Sequence, residues 1–579
     1  MRTFLFLVIA VSLFPYSVPA QDYADTESFL ETLLSEYPGK YINDETEQKS
    51  RYDTEEILDH FASLAANPVN INRATRYDLE KLFVLTPFQI EVLLDYRSRG
   101  GALLSLSELS LLNGFNERLA EFLRPFIIFG PSGGGFDREN AKFRSDFYLR
   151  SFTKLKEYAF EKKDELGPPV ALLLKYRCSY GDKFRLNITA ENDMGEELFA
   201  SMKRPVDFFS IALSCDNVAL GGKRRSGFLN NYTLNTFVLG DYSARFGQGL
   251  VLWNSFSFGS PSNLSALCRR GAAVLPYTSA GESRFYRGAA LSVSGRKIDF
   301  ALLFSHKKRD AKLENGKYVT LYDDGLHNTG ASLDRRKNMA ESLFGVNAVY
   351  NSAHFRIGLN YAAYMYDRKS GVKPNYYNSY RLYDALWGNF SLSFSGNLAK
   401  FNLFGEVAAD HGGTIAFLAG FTRRFADVQT ALLIRYYPAS YIAPHAGAFS
   451  SLSGCYNQFG AVALMNWQLP GALSIEGMLD GCYYPKPRFN IRGKSAHLKG
   501  SVKLTYKSER ETASYSVELS NTWLSASNLY SFPTNKVALA VNADFLIGDR
   551  FSLGVRSRHS VILKKYSIAT GIKAGCNFA

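Results

Sequence analysis

Tyr566-Ser567-Ile568-Ala569-Thr570-Gly571-Ile572-Lys573-Ala574-Gly575-Cys576-Asn577-Phe578 brings the chain to within one residue of its end on a strict alternation. In an extended strand Tyr566, Ile568, Thr570, Ile572, Ala574, Cys576 and Phe578 share one face; Ser567, Ala569, Gly571, Lys573, Gly575 and Asn577 share the other. One face suits lipid and the other a polar interior, over the ~9–11 residues that a tilted membrane strand needs. Phe355-Ile357-Leu359-Tyr361-Ala363-Met365 set against Arg356-Gly358-Asn360-Ala362-Tyr364 repeats the pattern, as do Ile298-Phe300-Leu302-Phe304 and Phe401-Leu403-Gly405-Val407. The alternation runs from Lys142 onward and predicts about twenty strands. Tight polar turns punctuate it at Tyr350-Asn351-Ser352-Ala353, Ser395-Gly396-Asn397 and Ile547-Gly548-Asp549-Arg550. Longer polar connections are expected at Lys307–Glu341, Tyr441–Asn457 and Lys486–Lys494. Short turns at one end and long loops at the other, with Tyr pairs at 376–377, 436–437 and 483–484 near strand ends, fit a large antiparallel transmembrane β-barrel. A soluble sandwich or solenoid fits less well, because no fixed repeat is visible.

Composition agrees. The chain has 579 residues, 46% hydrophobic and 21% charged, with 14% aromatic. Past the N-terminus no stretch supplies the ~18–20 consecutive apolar residues of a membrane helix, which excludes a helical membrane protein and says nothing against a barrel. Arg2, the apolar run Phe4–Phe14, Pro15 and Val18-Pro19-Ala20 have the order of a secretory signal peptide over residues 1–20. The formal charge of +13 is unevenly spread: residues 21–60 carry −9, residues 61–127 are neutral, and the rest carries +21. The expected organisation is a signal peptide (1–20), an acidic helical leader (21–66), a helical module (67–127), a Gly-rich linker (128–141) and the barrel (142–579). Opposite fields on leader and barrel favour docking of residues 21–127 at or in the periplasmic mouth, with Glu45, Glu47, Glu55 and Glu56 facing basic lumen or rim residues; the alternative is a freely tethered periplasmic domain, and the lumen cations Arg287, Arg356 and Lys573 would favour a polyanion.

Between Asn67 and Ile127 the period turns helical. Thr75 with Asp78, and Ser105 with Glu108, have capping-box spacing; Thr86-Pro87 opens another helix with Pro at its first position, and Asn72 can cap a turn. Asn70-Ile71-Asn72-Arg73-Ala74-Thr75, Asp78-Leu79, Asp95-Tyr96-Arg97, Gly101, Ser105, Leu109, Gly114 and Pro125-Phe126-Ile127 together resemble the tandem helix-hairpin-helix domain of competence DNA receptors (ComEA-like), across about sixty residues without a gap. The whole chain resembles helix-hairpin-helix outer-membrane proteins of Gram-negative bacteria. Leu239–Trp253 is similar to a recurrent strand of that group, and Pro276–Ala289 to another; Phe578 resembles the terminal aromatic of such barrels.

What the resemblance implies for activity is divided. Nucleic-acid-binding hairpins cradle phosphate on glycine backbone N–H groups and a helix N-terminus. Here the turns read Val84-Leu85-Thr86 and Gly114-Phe115-Asn116, so any such contact would fall to Thr86, Gln89, Gly114, Asn116 and Arg118. One expectation is therefore a conduit or receptor for an anionic substrate such as DNA, with the module as periplasmic receiver. The other is a non-catalytic outer-membrane anchor whose module docks a periplasmic protein or plugs its own barrel. No hydrolase, nucleotide or metalloprotease motif is present, the six cysteines are far apart, and the eight histidines are scattered. No enzyme activity, cofactor or metal is expected. His411 near Asp410 and Glu406 is the densest titratable cluster, and His559-Ser560 point to opposite faces of a strand.

Overall fold

The structure, a computed structural model, describes residues 57–576 apart from 131–142, 154–164, 199–205, 222–231, 255–266, 381–385, 509–512, 527–532 and 548–550, and shorter breaks at 58, 66, 182, 353, 399–400, 426, 453 and 563–564. The signal peptide, most of the acidic leader with Glu45, Glu47, Glu55 and Glu56, the joint beyond Gly130, and Phe578 lie outside the described residues.

The alternating segments form twenty-two strands of one closed barrel, and consecutive wall strands pair antiparallel. Two are short side strands, Val274–Pro276 and Lys317–Tyr322. The sheet bypasses them: Thr233–Ala244 pairs directly with Tyr286–Ser294, and Ile298–Glu314 with Met339–Asn351. Twenty strands therefore make the continuous wall, which closes where Lys565–Cys576 meets Phe143–Thr153. At one end two or three residues join most neighbouring strands, as between Leu398 and Phe401 or Asn351 and Phe355; at the other lie long connections such as 367–386 and 438–457. Phe237, Leu239, Phe304, Phe344, Leu359, Phe390 and Leu392 stand exposed on the outer face. An apolar exterior of that extent is stable in hydrocarbon and not in water.

One expected polar loop is corrected, and a second is a connection as expected but is not solvated. Strand Ile298–Glu314 continues well past Lys307, because Lys307 faces inward, where its ammonium donates to the carbonyls of Ser283 and Phe285. The segment from Tyr441 to Phe449 turns into the barrel and buries Tyr441, Ile442, Ala448 and Phe449. Likewise Leu239–Trp253 is not one strand: it leaves the wall after Ala244 and carries Phe246, Leu250, Val251 and Leu252 into the lumen, fully buried.

Ahead of the barrel, after a helical stretch at 59–65, lie four further helices: α1 (Arg76–Glu80), α2 (Pro87–Ser98), α3 (Leu106–Ser110) and α4 (Glu117–Leu123). Each is too short to persist alone. Each opens on a side-chain cap, Thr75, Thr86, Ser105 and Asn116 respectively, accepting from the backbone three residues on. A two-residue parallel pair, Val69–Asn70 with Ile127–Ile128, closes the module. Asn72 is buried and caps no helix: its amide donates to the carbonyls of Leu103 and Gly130 and its oxygen accepts from Leu103 N–H, stapling the module's two ends to its middle. The core of Ile71, Leu79, Leu82, Leu93, Leu103, Leu109, Leu123 and Phe126 continues without a break into Ala272 and Leu275 of the barrel.

Candidate functional site: the lumen

The helical module sits inside the mouth that bears the short turns. Glu80 of α1 pairs with Arg356 of the wall strand Phe355–Tyr366 at 2.6 Å, close to that strand's short-turn end. Asp59 takes Lys175, and Arg177 at 2.9 Å, on strand Val170–Tyr180. Asn217 donates to Asp78, and Tyr77 Oη donates to the Val274 carbonyl at 2.5 Å. The Arg245 guanidinium lies 4.5 Å over the Phe83 ring. Burial pushes the Tyr77 hydroxyl well up, so it stays a donor. Burial would raise Asp78 as well, but Lys81 and the Thr75 cap outweigh it and hold the carboxyl below the usual range. His60 hydrogen-bonds the Lys81 carbonyl at 2.6 Å, and burial pushes its pKa down to about 3.

The residues expected to meet nucleic acid make hydrogen bonds within the module. Thr86 Oγ1 accepts from Gln89 N–H, the Gln89 side chain accepts from Thr86 N–H, and Gln89 Nε2 donates to the Gly114 carbonyl at 2.7 Å. Gly114 has φ +88, and a Cβ there would stand 2.8 Å from the Phe88 ring; glycine is required for packing between hairpins. Asn116 caps α4. Arg118 is on α4, its side chain outside the described residues. The structure thus joins Thr86, Gln89 and Gly114 in one hydrogen-bonded unit and leaves Asn116 apart from them.

Above the module two inward segments interlock. Gly447 and Ala448 N–H both donate to the Gly249 carbonyl, Trp253 N–H donates to the His445 carbonyl, and Tyr441 Oη donates to the Leu250 carbonyl. Gly249 has φ +90, and a Cβ there would stand 2.9 Å from Ala448 N, so the contact needs glycine. Glu406, fully buried on the wall, anchors the segment: one carboxylate oxygen accepts from Gln248 and Leu250 N–H at 2.8 and 3.0 Å, and the other from Ser391 Oγ at 2.5 Å. The expected cluster of Glu406, Asp410 and His411 does not form. Asp410 accepts from Ile442 and Thr414 N–H, while His411 stacks on Tyr361.

These insertions fill one arc of the lumen. From Met339–Asn351 to Leu473–Tyr484, inner positions such as Asn360, Tyr364, Asn389, Phe404, Leu418, Arg435 and Val462 are at most 2% exposed. On Ser495–Lys507, Ala513–Leu524, Thr534–Ile547, Phe551–Ile562, Lys565–Cys576 and Phe143–Thr153, the inner positions Lys503, Thr505, Ser516, Glu518, Asn542, Arg556, Arg558 and Arg144 are half-buried or exposed. This arc faces water and is basic. Lys499, Lys503, Lys507, Lys536, Arg556, Arg558, Lys565, Arg144 and Arg150 lie on its inner face against Glu518, Asp544 and Asp146. Of the three lumen cations expected from sequence, Arg356 is one and binds the module. The Lys573 side chain lies outside the described residues. Arg287 is corrected: it shares the outer face with Leu291, at the long-loop end of its strand, where Asp241 binds it through two bonds of 2.6 and 2.7 Å. A paired charge at the rim needs no aqueous lumen.

At the long-loop mouth His327 bridges two carboxylates, Nδ1 to Asp207 at 2.5 Å and Nε2 to Asp310 at 2.8 Å. Burial opposes its charge, but the two aspartates win and raise its pKa to about 9. Glu196, raised to about 7 by burial and Asp207, accepts from His327 N–H. Glu196, Asp207 and His327 lie at metal-binding spacing. With both ring nitrogens hydrogen-bonded to carboxylates, however, His327 is a charged donor and has no lone pair to give a metal. His559 bonds Ser557 and Tyr566 on the lipid face and not Ser560.

No family model matches the chain, and no curated relative matches it. Among solved structures, OpdQ of Pseudomonas aeruginosa is 10% identical, covering 75% of this chain and 96% of that one with a TM-score of 0.33. Wzi of Escherichia coli, an outer-membrane protein involved in group 1 capsule assembly and described as a carbohydrate-binding β-barrel, is 12% identical over 86% and 96%, TM-score 0.33. The siderophore receptor PirA of Acinetobacter baumannii is 10% identical over 75% and 74%, TM-score 0.40. By its own closed wall, apolar exterior and partly filled lumen, this chain is an outer-membrane-type β-barrel.

Proposed function

We propose that the protein is an outer-membrane conduit or receptor for an anionic solute, whose route follows the watered basic arc past a helical module that plugs the rest of the lumen. The observation that carries this reading is the excess of inward Lys and Arg over Glu518, Asp544 and Asp146 on the one arc that the insertions leave open. A low-dielectric wall focuses such a field and concentrates anions in the passage. In this reading the short-turn mouth and the module face the periplasm, and the apolar belt contacts outer-membrane lipid. The module acts as a plug: Glu80, Asp59, Tyr77 and Phe83 all engage the barrel. Thr86, Gln89 and Gly114 are engaged in its internal bonds, which disfavours a DNA receiver. Reversal potentials of the full-length protein in planar bilayers under a KCl gradient test the proposal. Preference for chloride supports it; cation selectivity overturns it.

A further inference from the structure

The register of the watered arc orders its charges. Residues paired across neighbouring strands form rows: Lys499, Thr522, Lys536, Ile562 and Lys565 toward the long-loop end, then Lys503, Glu518, Ala540, Arg558 and Ala569. Next come Thr505, Ser516, Asn542, Arg556 and Gly571, and toward the short turns Lys507, Ser514, Asp544 and Gly554. Each of these four rows carries a cation, and the row between the first two, Ser501, Ser520, Ala538, Ser560 and Ser567, carries hydroxyls and none. Residues two apart on a strand are about 7 Å apart and neighbouring strands about 5 Å, so the rows from Lys503 to Lys507 are within reach of one another, and the Lys499 row lies about 14 Å beyond, across the serine row. Between the cations stand mostly Ser, Thr, Asn, Ala and Gly, which leave room and offer hydrogen bonds; the acidic exceptions are Asp544 and the pair Glu476 and Glu518 on either side of Lys503. The contrast with other inward cations of the barrel is sharp. Arg356, Arg435 and Arg309 each meet a carboxylate at 2.6 to 2.9 Å, whereas on the watered arc Arg556 lies 3.9 Å from Asp544.

We infer that this arc is a binding track for a linear oligoanion, which spans several rows at once, and not only a wall that attracts single small anions. The inference rests on the anionic passage proposed above. A monovalent ion meets one row at a time. A chain of linked charges converts each further contact into an intramolecular one, so its affinity rises by orders of magnitude with no new kind of contact. Arginine adds bidentate geometry for phosphate-type groups.

Equilibrium binding to the full-length protein in detergent, with tripolyphosphate and orthophosphate as probes at matched ionic strength, tests the track independently of conduction. Tripolyphosphate is expected to bind at least ~10-fold more tightly, and K503S with R558S to reduce that binding about tenfold. Both positions are half-buried on an open face, so heat-modifiable migration of the double variant should match the parent and certify its fold. Equal affinity for the two probes, or tripolyphosphate binding unchanged by the double substitution, overturns the track. Chloride selectivity with equal probe affinities would overturn the track while sparing the passage; tripolyphosphate preference in a cation-selective or non-conducting barrel would overturn the passage while sparing the track.

Discussion

The strand pair Trp387–Leu398 with Phe401–Asp410 and the pair Ala513–Leu524 with Thr534–Ile547 present similar apolar alternation to lipid, yet their inner faces differ in kind. The first buries Asn389, Ser391, Phe404 and Glu406 under the inward segments; the second leaves Ser516, Glu518 and Asn542 in water. An outward face answers to one solvent, lipid, around the whole circumference. An inward face answers to whatever the chain folds against it, so one wall can carry a packed core on one side and a polar passage on the other.

The largest expected effect should come from breaking the packed side. Glu406→Ala would leave Gln248 and Leu250 N–H and Ser391 Oγ without their acceptor in a dry interior, costing about 3–5 kcal/mol. Thermal conversion of the heat-modifiable form would read it. Arg558→Ala on the watered side should change stability by less than about 0.5 kcal/mol, and comparable losses at both sites would erase the distinction. Next, Arg356→Ala leaves Glu80 largely buried without its ion pair, a loss of about 2–3 kcal/mol after discounting for partial exposure. Single-channel records should then show a larger or noisier conductance as the module loosens; an unaltered record would mean that this pair does not hold the plug.

The two mouths should respond to pH with opposite sign. His60 has a folded pKa near 3, below its unfolded value. Its contribution is complete above about pH 6.5 and falls as pH drops, by about 2 kcal/mol at pH 5. His327, raised to about 9, contributes fully below about pH 6.5 and loses its contribution as pH rises through 9. Protease cleavage within 57–130 should therefore increase from pH 7 to 5, and cleavage within 323–338 from pH 7 to 9.5. The smallest effect is that of Thr86→Ala, about 1 kcal/mol of cap stability, with no change in DNA retention by the full-length protein. Weakened retention would restore the hairpin turns as a nucleic-acid surface.

The wall and the caps were legible because their causes are local. Alternation states which face meets lipid, and Thr75 with Asp78 or Thr86 with Gln89 are three residues apart. The site was not legible in the same way. Glu406 looks like any inward polar residue of a strand until Gln248 and Leu250, some 156 to 158 residues earlier, turn their N–H groups toward it. Arg245–Trp253 and Tyr441–Phe449 are as apolar as wall or as turn, and their partners are each other. Charge alone places Arg287 in the lumen; the bidentate partner Asp241, 46 residues away, puts it on the outer rim. The basic body was visible as a sum, and its confinement to one arc needed the insertions that cover the other.

The bond from Ala448 to Gly249 also bears on the order in which the molecule forms. It closes a loop of roughly two hundred residues, and such closures cost entropy before they return any contact energy. Hairpins joined by three residues incur almost none of that cost, so wall pairing should run far ahead of the interlock. The module is synthesised first, but its seat on Arg356 and Val274 exists only once the middle of the chain has arrived. A barrel that has closed its wall before its interior has set is thus the expected last intermediate, and slow interior setting, not strand pairing, should limit the rate at which it matures.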